Sequence, residues 1–488
     1  MKLSRLMFWL VMPCMLWSTS ILVERSGRTQ GKPNIILILA DDLGWGDIGS
    51  YGQTRIKTPH LDRLAAEGMR FTQFYSGSPV CAPSRCVLMT GKHGGHAYIR
   101  NNLEVKPEGQ LPLPGSEVTV AELLKQQGYS TGAFGKWGLG FIGTEGDPNR
   151  QGIDLFYGYN CQREAHNFYP DHLWKNDQRV MLEGNDRGLT GKQYSHDLIE
   201  AEALQFIRDN KDKPFFLYAP FTIPHVALQV PEDSLAEYLG KWEDPPYDGS
   251  RGYLPHPAPR AAYAAMISRM DRSVGRMMAL LKELRLDENT LVIFTSDNGA
   301  AFGEVTREFD FVPGRMGGTD YVFFGSTGKF RAFKGSVYEG GIRVPFIARW
   351  PGKIRAGTAS ELPAAFYDIL PTLCDLAGIK PPVTDGLSLL PTLLGRGRQP
   401  KHEFLFWDFN GYGGQQAVRL GDWKGVRRNI LQGNMRIELY NLATDIGEQH
   451  DLAARHPEIV RRITAIMQRE HTRSEVFPIK ILDNSAHR

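Results

Sequence analysis

Apolar runs that stop abruptly on polar residues organise most of the chain. NIILILA, residues 34–40, is apolar without alternation, the pattern of a strand buried on both faces, and it ends on Asp41 and Asp42. TPHLDRLAAEGMRF carries helix signals at both ends: Thr58 as N-cap, Pro59 in the first turn and Gly68 past the end. TVAELLKQQGYSTGAFGKW reads as a helix closed by Gly128, then a strand ending near Lys136. KPFFLYAPFTIPH is a strand running into His225. A helical stretch at about 261–284 precedes NTLVIFTSDNG, a strand ending on Asp297 and Asn298. Strands alternating with helices predict an α/β fold: a large, mostly parallel sheet sandwiched by helices.

Near Pro382 the texture changes. GLSLLPTLLGRG is followed by short strand-like pieces, HEFLFWDF, QQAVRLGDWKGVR and RIELYNLATD, and by a last helix at about 457–470. The expected organisation is a main α/β domain over 33–382 and a smaller C-terminal unit over 383–488, built on an antiparallel sheet. No internal repeat or low-complexity tract stands out.

Composition adds limits. In 488 residues, 23% are charged and 42% hydrophobic, as in an ordinary globular protein with ample core. The formal charge is +3 with no basic block or stripe, so no nucleic-acid partner is expected. Lys2 and Arg5 precede an apolar run at 6–17, and Ser18 and Ser20 offer a small-x-small cleavage site. This predicts a signal peptide over 1–25 and export to the periplasm or beyond. Pro13 interrupts a run already short for a membrane span, so no stable membrane insertion is expected after cleavage. Of five cysteines, the leader takes Cys14 and leaves Cys81, Cys86, Cys161 and Cys374. So few do not make a disulfide scaffold, though one or two bridges stay open.

Ligands of open α/β sheets sit at the carboxyl ends of the strands. Asp41, Asp42, Lys136, His225, Asp297 and Asn298 all fall there. An Asp pair after a strand is by itself an ordinary turn or cap. Two carboxylates from one strand end and an Asp-Asn pair from another form an all-oxygen set suited to a hard cation, Ca²⁺ ahead of Mg²⁺. These strand ends do not supply the His or Cys ligand set of a two-zinc phosphatase.

The pair Cys81 and Cys86, either side of Ala-Pro-Ser-Arg, admits a disulfide, a metal pair or a nucleophile. SRCVLMTG reads as the start of a helix with Pro83 and Ser84 in its first turn, where orphan N–H groups favour an anion. Arg85 adds a fixed positive fork suited to an oxyanion ester. Position 81 therefore has the surroundings of a nucleophile.

Cys81-Ala82-Pro83-Ser84-Arg85 resembles the Cys-x-Pro-Ser-Arg signature of the type I sulfatases, in the alkaline-phosphatase-like superfamily. The resemblance extends over nearly the whole mature chain, through NIILILADDLGWGD, GYSTGAFGKW, TSDNG, FKGSVYEGGIRVPFI and ELYNLATDIGEQHDLA. It implies that a formylglycine-generating maturation enzyme converts Cys81 to formylglycine, whose hydrate is the nucleophile, with Cys86 packed in the following helix. It also implies that Asp41, Asp42, Asp297, Asn298 and residue 81 hold Ca²⁺. Arg85 would steady the hydrate, Lys136 and Lys334 would bind sulfate, and His225 would act as general acid, work suited to imidazole.

One position departs from the family pattern. Many members read Gly-Lys-Trp-His-Leu-Gly where this chain has Gly138. His166, in CQREAHNFYP, is the first candidate to replace that histidine near the substrate, with His93 or His96 behind it. Aromatic-rich loops such as DLFYGYN and HNFYPDHLW suit sugar stacking as well as loop anchoring. The implied reaction is removal of sulfate from a sulfated carbohydrate or aryl sulfate. The rivals are a phosphonate or phosphodiester hydrolase of the same superfamily and a non-catalytic glycan-binding relative.

Overall fold

A computed structural model describes residues 31–301, 303–305, 310–312 and 314–484. The expected signal peptide lies outside the described residues, and no helix among them is long and apolar enough to cross a membrane. From Lys32 onward the chain is one compact unit.

Asn34–Ala40 is the central strand of the large sheet, fully buried as its unbroken apolar run requires. Its neighbours are Thr290–Ser296 on one side and Phe215–Pro220 on the other, both parallel. Ser130–Lys136 and then Leu155–Tyr159 continue the parallel block outward. Antiparallel pairing extends both flanks: Arg343–Arg349 with Met69–Tyr75 on one, where Thr358–Ser360 then adds in parallel at the edge, and the hairpin His172–Lys175 and Gln178–Met181 on the other.

Alternate side chains of the central strand feed two separate cores. Ile35, Leu37 and Leu39 pack with helices Cys81–Thr90, Val120–Gln126 and Ile369–Ala377. Ile36, Ile38 and Ala40 pack with Pro59–Ala66, Ser195–Asp209 and Pro259–Glu283. Helices thus cover both faces. Leu405–Phe409, Gln415–Leu420, Trp423–Arg428 and Glu438–Asn441 form the small antiparallel sheet, and helix Pro457–Glu470 packs on it.

Thr58 sits at the predicted N-cap, yet its hydroxyl is turned away, accepting the Gly49 N–H at 2.8 Å. The helix N–H groups of Leu61 and His60 donate instead to Asp271 of another helix, at 2.7 and 3.2 Å. Burial outweighs those two bonds and pushes the Asp271 carboxyl up to about 7. A folded-state value above the ordinary 3.8 means that its proton stabilises the fold at low pH and is lost as pH rises through 7. Asp271→Asn keeps an acceptor without this titration. Its melting temperature relative to wild type should rise by about 2 °C or more between pH 5 and pH 8. Calorimetry at the two pH values checks this, and an unchanged difference would refute it.

Candidate active site

In the parallel block Ala40 pairs with Ser296, so Asp41 and Asp297 emerge side by side, with the Asp297 N–H donating to the Ala40 carbonyl at 3.0 Å. Simple alternation would send Asp41 and Asp42 to opposite faces. Asp42 instead adopts a φ of 65°, left-handed backbone that few non-glycine residues hold without a reason. Both carboxylates therefore reach one buried cluster. Asp41 lies 2.6 Å from Lys136 Nζ, and Asp42 lies 2.7 Å from Lys334 Nζ. Asn298 Nδ2 donates to Asp42 at 2.8 Å, and the Asp42 N–H donates to Asp297 at 3.2 Å.

Cys81 is the first residue of the helix Cys81–Thr90 and is buried beside these groups. Its Sγ lies 3.4 Å from Lys334 Nζ and 3.7 Å from an Asp41 oxygen. One turn on, Arg85 grips Asp297 through Nε at 3.1 Å and Nη2 at 2.8 Å, and donates to the Lys136 carbonyl. It locks the Cys81–Thr90 helix to two strand ends. His225 Nδ1 faces the Val226 carbonyl, which only accepts, so Nδ1 donates and Nε2 carries the lone pair. Lys334 Nζ is 3.2 Å from that Nε2. His166 stacks on His225 with ring centroids 4.6 Å apart and planes within 9°. The candidate metal ligands, Arg85, Lys136, Lys334, His225 and the first histidine candidate His166 all meet here. His93 and His96 lie elsewhere, against Asp385 and Glu470.

The electrostatics follow from burial and pairing. Burial raises Asp41, but Lys136, His225, Arg85 and Lys334 outweigh it and hold the carboxyl far below its usual range. Burial and the neighbouring Asp41 push Asp297 up to about 6 despite Arg85. Burial drives the Cys81 thiol up to about 12 against the pull of both lysines, so as a plain thiol it stays protonated at neutral pH. Burial and Lys334 keep His225 neutral, its pKa well below 6.5. Three carboxylates thus face three permanent cations, Arg85, Lys136 and Lys334.

This donor set fits a hard divalent cation. Asn298 Oδ1 is buried with no hydrogen-bond partner among the described groups, an acceptor left for something else. Donor atoms of Asp41, Asp42, Cys81 and His225 lie within 4.8 Å of one another, so residue 81 stands at the edge of the oxygen set.

Gly138 has a φ of 81°, which a side chain would strain. The atoms nearest to where its Cβ would stand belong to Arg85, at 3.4 Å, and to Gln162, at 3.6 Å. Gln162 Nε2 donates to Asn102 Oδ1, which also accepts the Ala82 N–H at the start of the Cys81–Thr90 helix. Sequence reasoning missed Gln162 and Asn102, because they come from separate loops and no spacing links them. They line a cavity of about 310 Å³ with Cys81, His166, Tyr253 and Tyr412. A larger cavity of about 560 Å³, near Gln73, His402 and Arg419, holds none of this chemistry.

The chain matches the Sulfatase family model over residues 33–379, and the model for the C-terminal part of N-sulphoglucosamine sulphohydrolase over 328–473. It is 36% identical over 413 residues to N-acetylgalactosamine-6-sulfatase of Rattus norvegicus, covering 80% of this chain and 71% of that protein. It is 34% identical over 480 residues to arylsulfatase A of Homo sapiens, covering 88% and 86%. Among solved structures, Ps i-CgsB in complex with k-i-k-neocarrahexaose superposes with a TM-score of 0.73 at 29% identity, covering 90% of this chain and 94% of that one.

Proposed function

Since the chain belongs to the sulfatase family, we propose that this enzyme removes sulfate from a sulfated glycan, using a formylglycine made from Cys81 and a bound Ca²⁺. The observation that carries the reading is the placement of Cys81: at a helix N-terminus, within reach of Lys334 and Asp41, inside Cys-Ala-Pro-Ser-Arg. The glycan is supported by two relatives, one named N-acetylgalactosamine-6-sulfatase and one solved with neocarrahexaose. The aromatic and amide side chains lining the cavity suit the faces and hydroxyls of sugars.

Asp41, Asp42, Asp297 and Asn298, with residue 81, would hold the ion, which supplies charge to polarise the sulfate oxygens. The hydrated aldehyde supplies two geminal hydroxyls, one to attack sulfur and one whose collapse expels the sulfate. The remaining work falls to the chain's own side chains. Lys136 and Lys334 neutralise charge as the S–O bond breaks, from positions that need no reorganisation. Arg85 fixes the helix that presents residue 81. His225 Nε2 faces the same space as Lys334. An arriving sulfate ester adds negative charge there and raises the imidazole's proton affinity, so Nε2 carries the proton that the departing alcohol takes. Export, through the leader read at 1–25, would bring the enzyme to extracellular polysaccharide.

Protein coexpressed with a formylglycine-generating enzyme should yield a tryptic peptide, residues 71–85, with the mass of the aldehyde or its hydrate at position 81. That peptide excludes Cys86, so the assignment is unambiguous. The same protein should release the aryl alcohol from an aryl sulfate faster than from the paired aryl phosphodiester. A plain thiol beside a matured control protein, or a preference for the phosphodiester, overturns the proposal.

A further inference from the structure

The stretch Lys92-His93-Gly94-Gly95-His96, just past the nucleophile helix, takes no part in the site above. It forms a tight turn, with the His96 N–H donating to the His93 carbonyl at 2.9 Å. Its glycines are required by contact: a Cβ on Gly94 would stand 2.7 Å from the Asp408 carbonyl, and one on Gly95 2.0 Å from that of Glu470. The turn is thus pressed onto the C-terminal segments, and both imidazoles project to the same side, stacked with centroids 4.2 Å apart.

Two carboxylates from distant parts of the chain close on this pair. Asp385 lies 2.9 Å from His96 Nδ1 and 3.8 Å from His93 Nδ1. Glu470, the last residue of helix Pro457–Glu470, lies 3.1 Å from His93 Nε2. His93 Nδ1 accepts the Gly95 N–H at 3.2 Å, so Nε2 bears the proton and donates it to Glu470. A carboxylate holding the far nitrogen is the usual arrangement of a metal-bound histidine, and here an ion would take the near nitrogen's lone pair by displacing the Gly95 N–H.

We propose that His93, His96 and Asp385 form a second divalent-cation site, of the zinc class, with Glu470 as a positioning residue. One donor atom from each of the three lies within 4.8 Å of the others. Zinc bonds of about 2.0–2.1 Å in tetrahedral geometry separate ligands by roughly 3.3 Å, so small side-chain shifts close the site. Two imidazoles and a carboxylate select a borderline ion such as Zn²⁺ over Ca²⁺, the reverse of the all-oxygen set at the strand ends. His93 is buried, whereas His96 and Asp385 are partly exposed, at 31% and 22% of their side chains. Ions can therefore enter, and a fourth position stays open to water. Because Asp385 follows the main domain's Ile369–Ala377 helix and Glu470 ends the C-terminal helix, the ion would fasten these segments to the loop behind Cys81.

The test uses full-length mature protein without a histidine tag, dialysed against chelator and then saturated with Ca²⁺ to fill the strand-end site. Co²⁺ and Zn²⁺ are the probes. Wild type should take up one equivalent of Zn²⁺, bind Co²⁺ with the visible absorption of a low-coordinate nitrogen-ligated site, and melt at a higher temperature with Zn²⁺. His96→Ala and Asp385→Asn should lose all three effects. Glu470→Gln should bind about 10–100-fold more weakly. Asp42→Asn, altered at the strand-end site, should bind Zn²⁺ as wild type does. Absence of saturable uptake by wild type overturns the proposal without any variant. So does uptake unchanged in a folded His96→Ala or Asp385→Asn, or lost only in Asp42→Asn.

Discussion

Cys81→Ser is expected to release its alcohol once and then stop. Serine is nearly isosteric and keeps the neighbours of the thiol, Lys334 at 3.4 Å and Asp41 at 3.7 Å, so the fold and the binding of the sulfate ester should survive. With its proton removed, a serine hydroxyl can still attack sulfur, because the lysines that neutralise the developing charge are unchanged. It has no second hydroxyl on the same carbon, so the sulfate it acquires has no internal route off. Steady-state turnover should fall on the order of 10³-fold or more. A burst of one equivalent of alcohol should remain, and intact-mass analysis should find one added SO₃ group on residue 81. Cys81→Ala should show neither burst nor adduct. Sustained turnover by the serine variant would remove the geminal diol from the mechanism.

Legibility from sequence followed the range of the interactions involved. The central strands could be read because a strand buried on both faces carries an unbroken apolar run, as 35–40 and 291–294 do. Their polar ends could be read because an abrupt Asp or Asn after such a run is a local event. The antiparallel flanks are different. The half-buried Met69–Tyr75 carries a mixed pattern, and its place beside Arg343–Arg349 is set by contacts across most of the chain. The N-cap at Thr58 was a sound local expectation overridden at long range, since Asp271 reaches the same N–H groups from another helix. Inside the site, residues in motifs were found and Gln162 was not. Its role beside Gly138 exists only once three loops meet. His166 belongs to the same stretch and stands against His225, a contact no spacing could predict.

Lys334→Met is expected to separate the two tasks of the charge cluster. With Asp41, Asp42 and Asp297 against Arg85, Lys136 and Lys334, the protein's own charges balance, and His225 adds none. A divalent cation bound as proposed would leave a surplus of two positive charges at the cavity floor, which would favour an anionic sulfate ester and its transition state. Methionine keeps the length of the side chain and removes one of those charges. It also leaves the buried Asp42 without its ammonium at 2.7 Å, and breaking a buried pair from one side costs about 3–5 kcal/mol. The ion-free variant should therefore melt well below wild type. Ca²⁺ bound as proposed would compensate the orphaned carboxylate, so added Ca²⁺ should raise the melting temperature of the variant more than that of wild type. It does not replace the donor aimed at residue 81 and His225, so kcat/KM should stay about 10²–10³-fold down at saturating Ca²⁺. Recovery of both stability and activity with Ca²⁺ would reduce Lys334 to a counter-ion. Recovery of neither, in a variant that still folds, would mean that the ion and Asp42 are not partners.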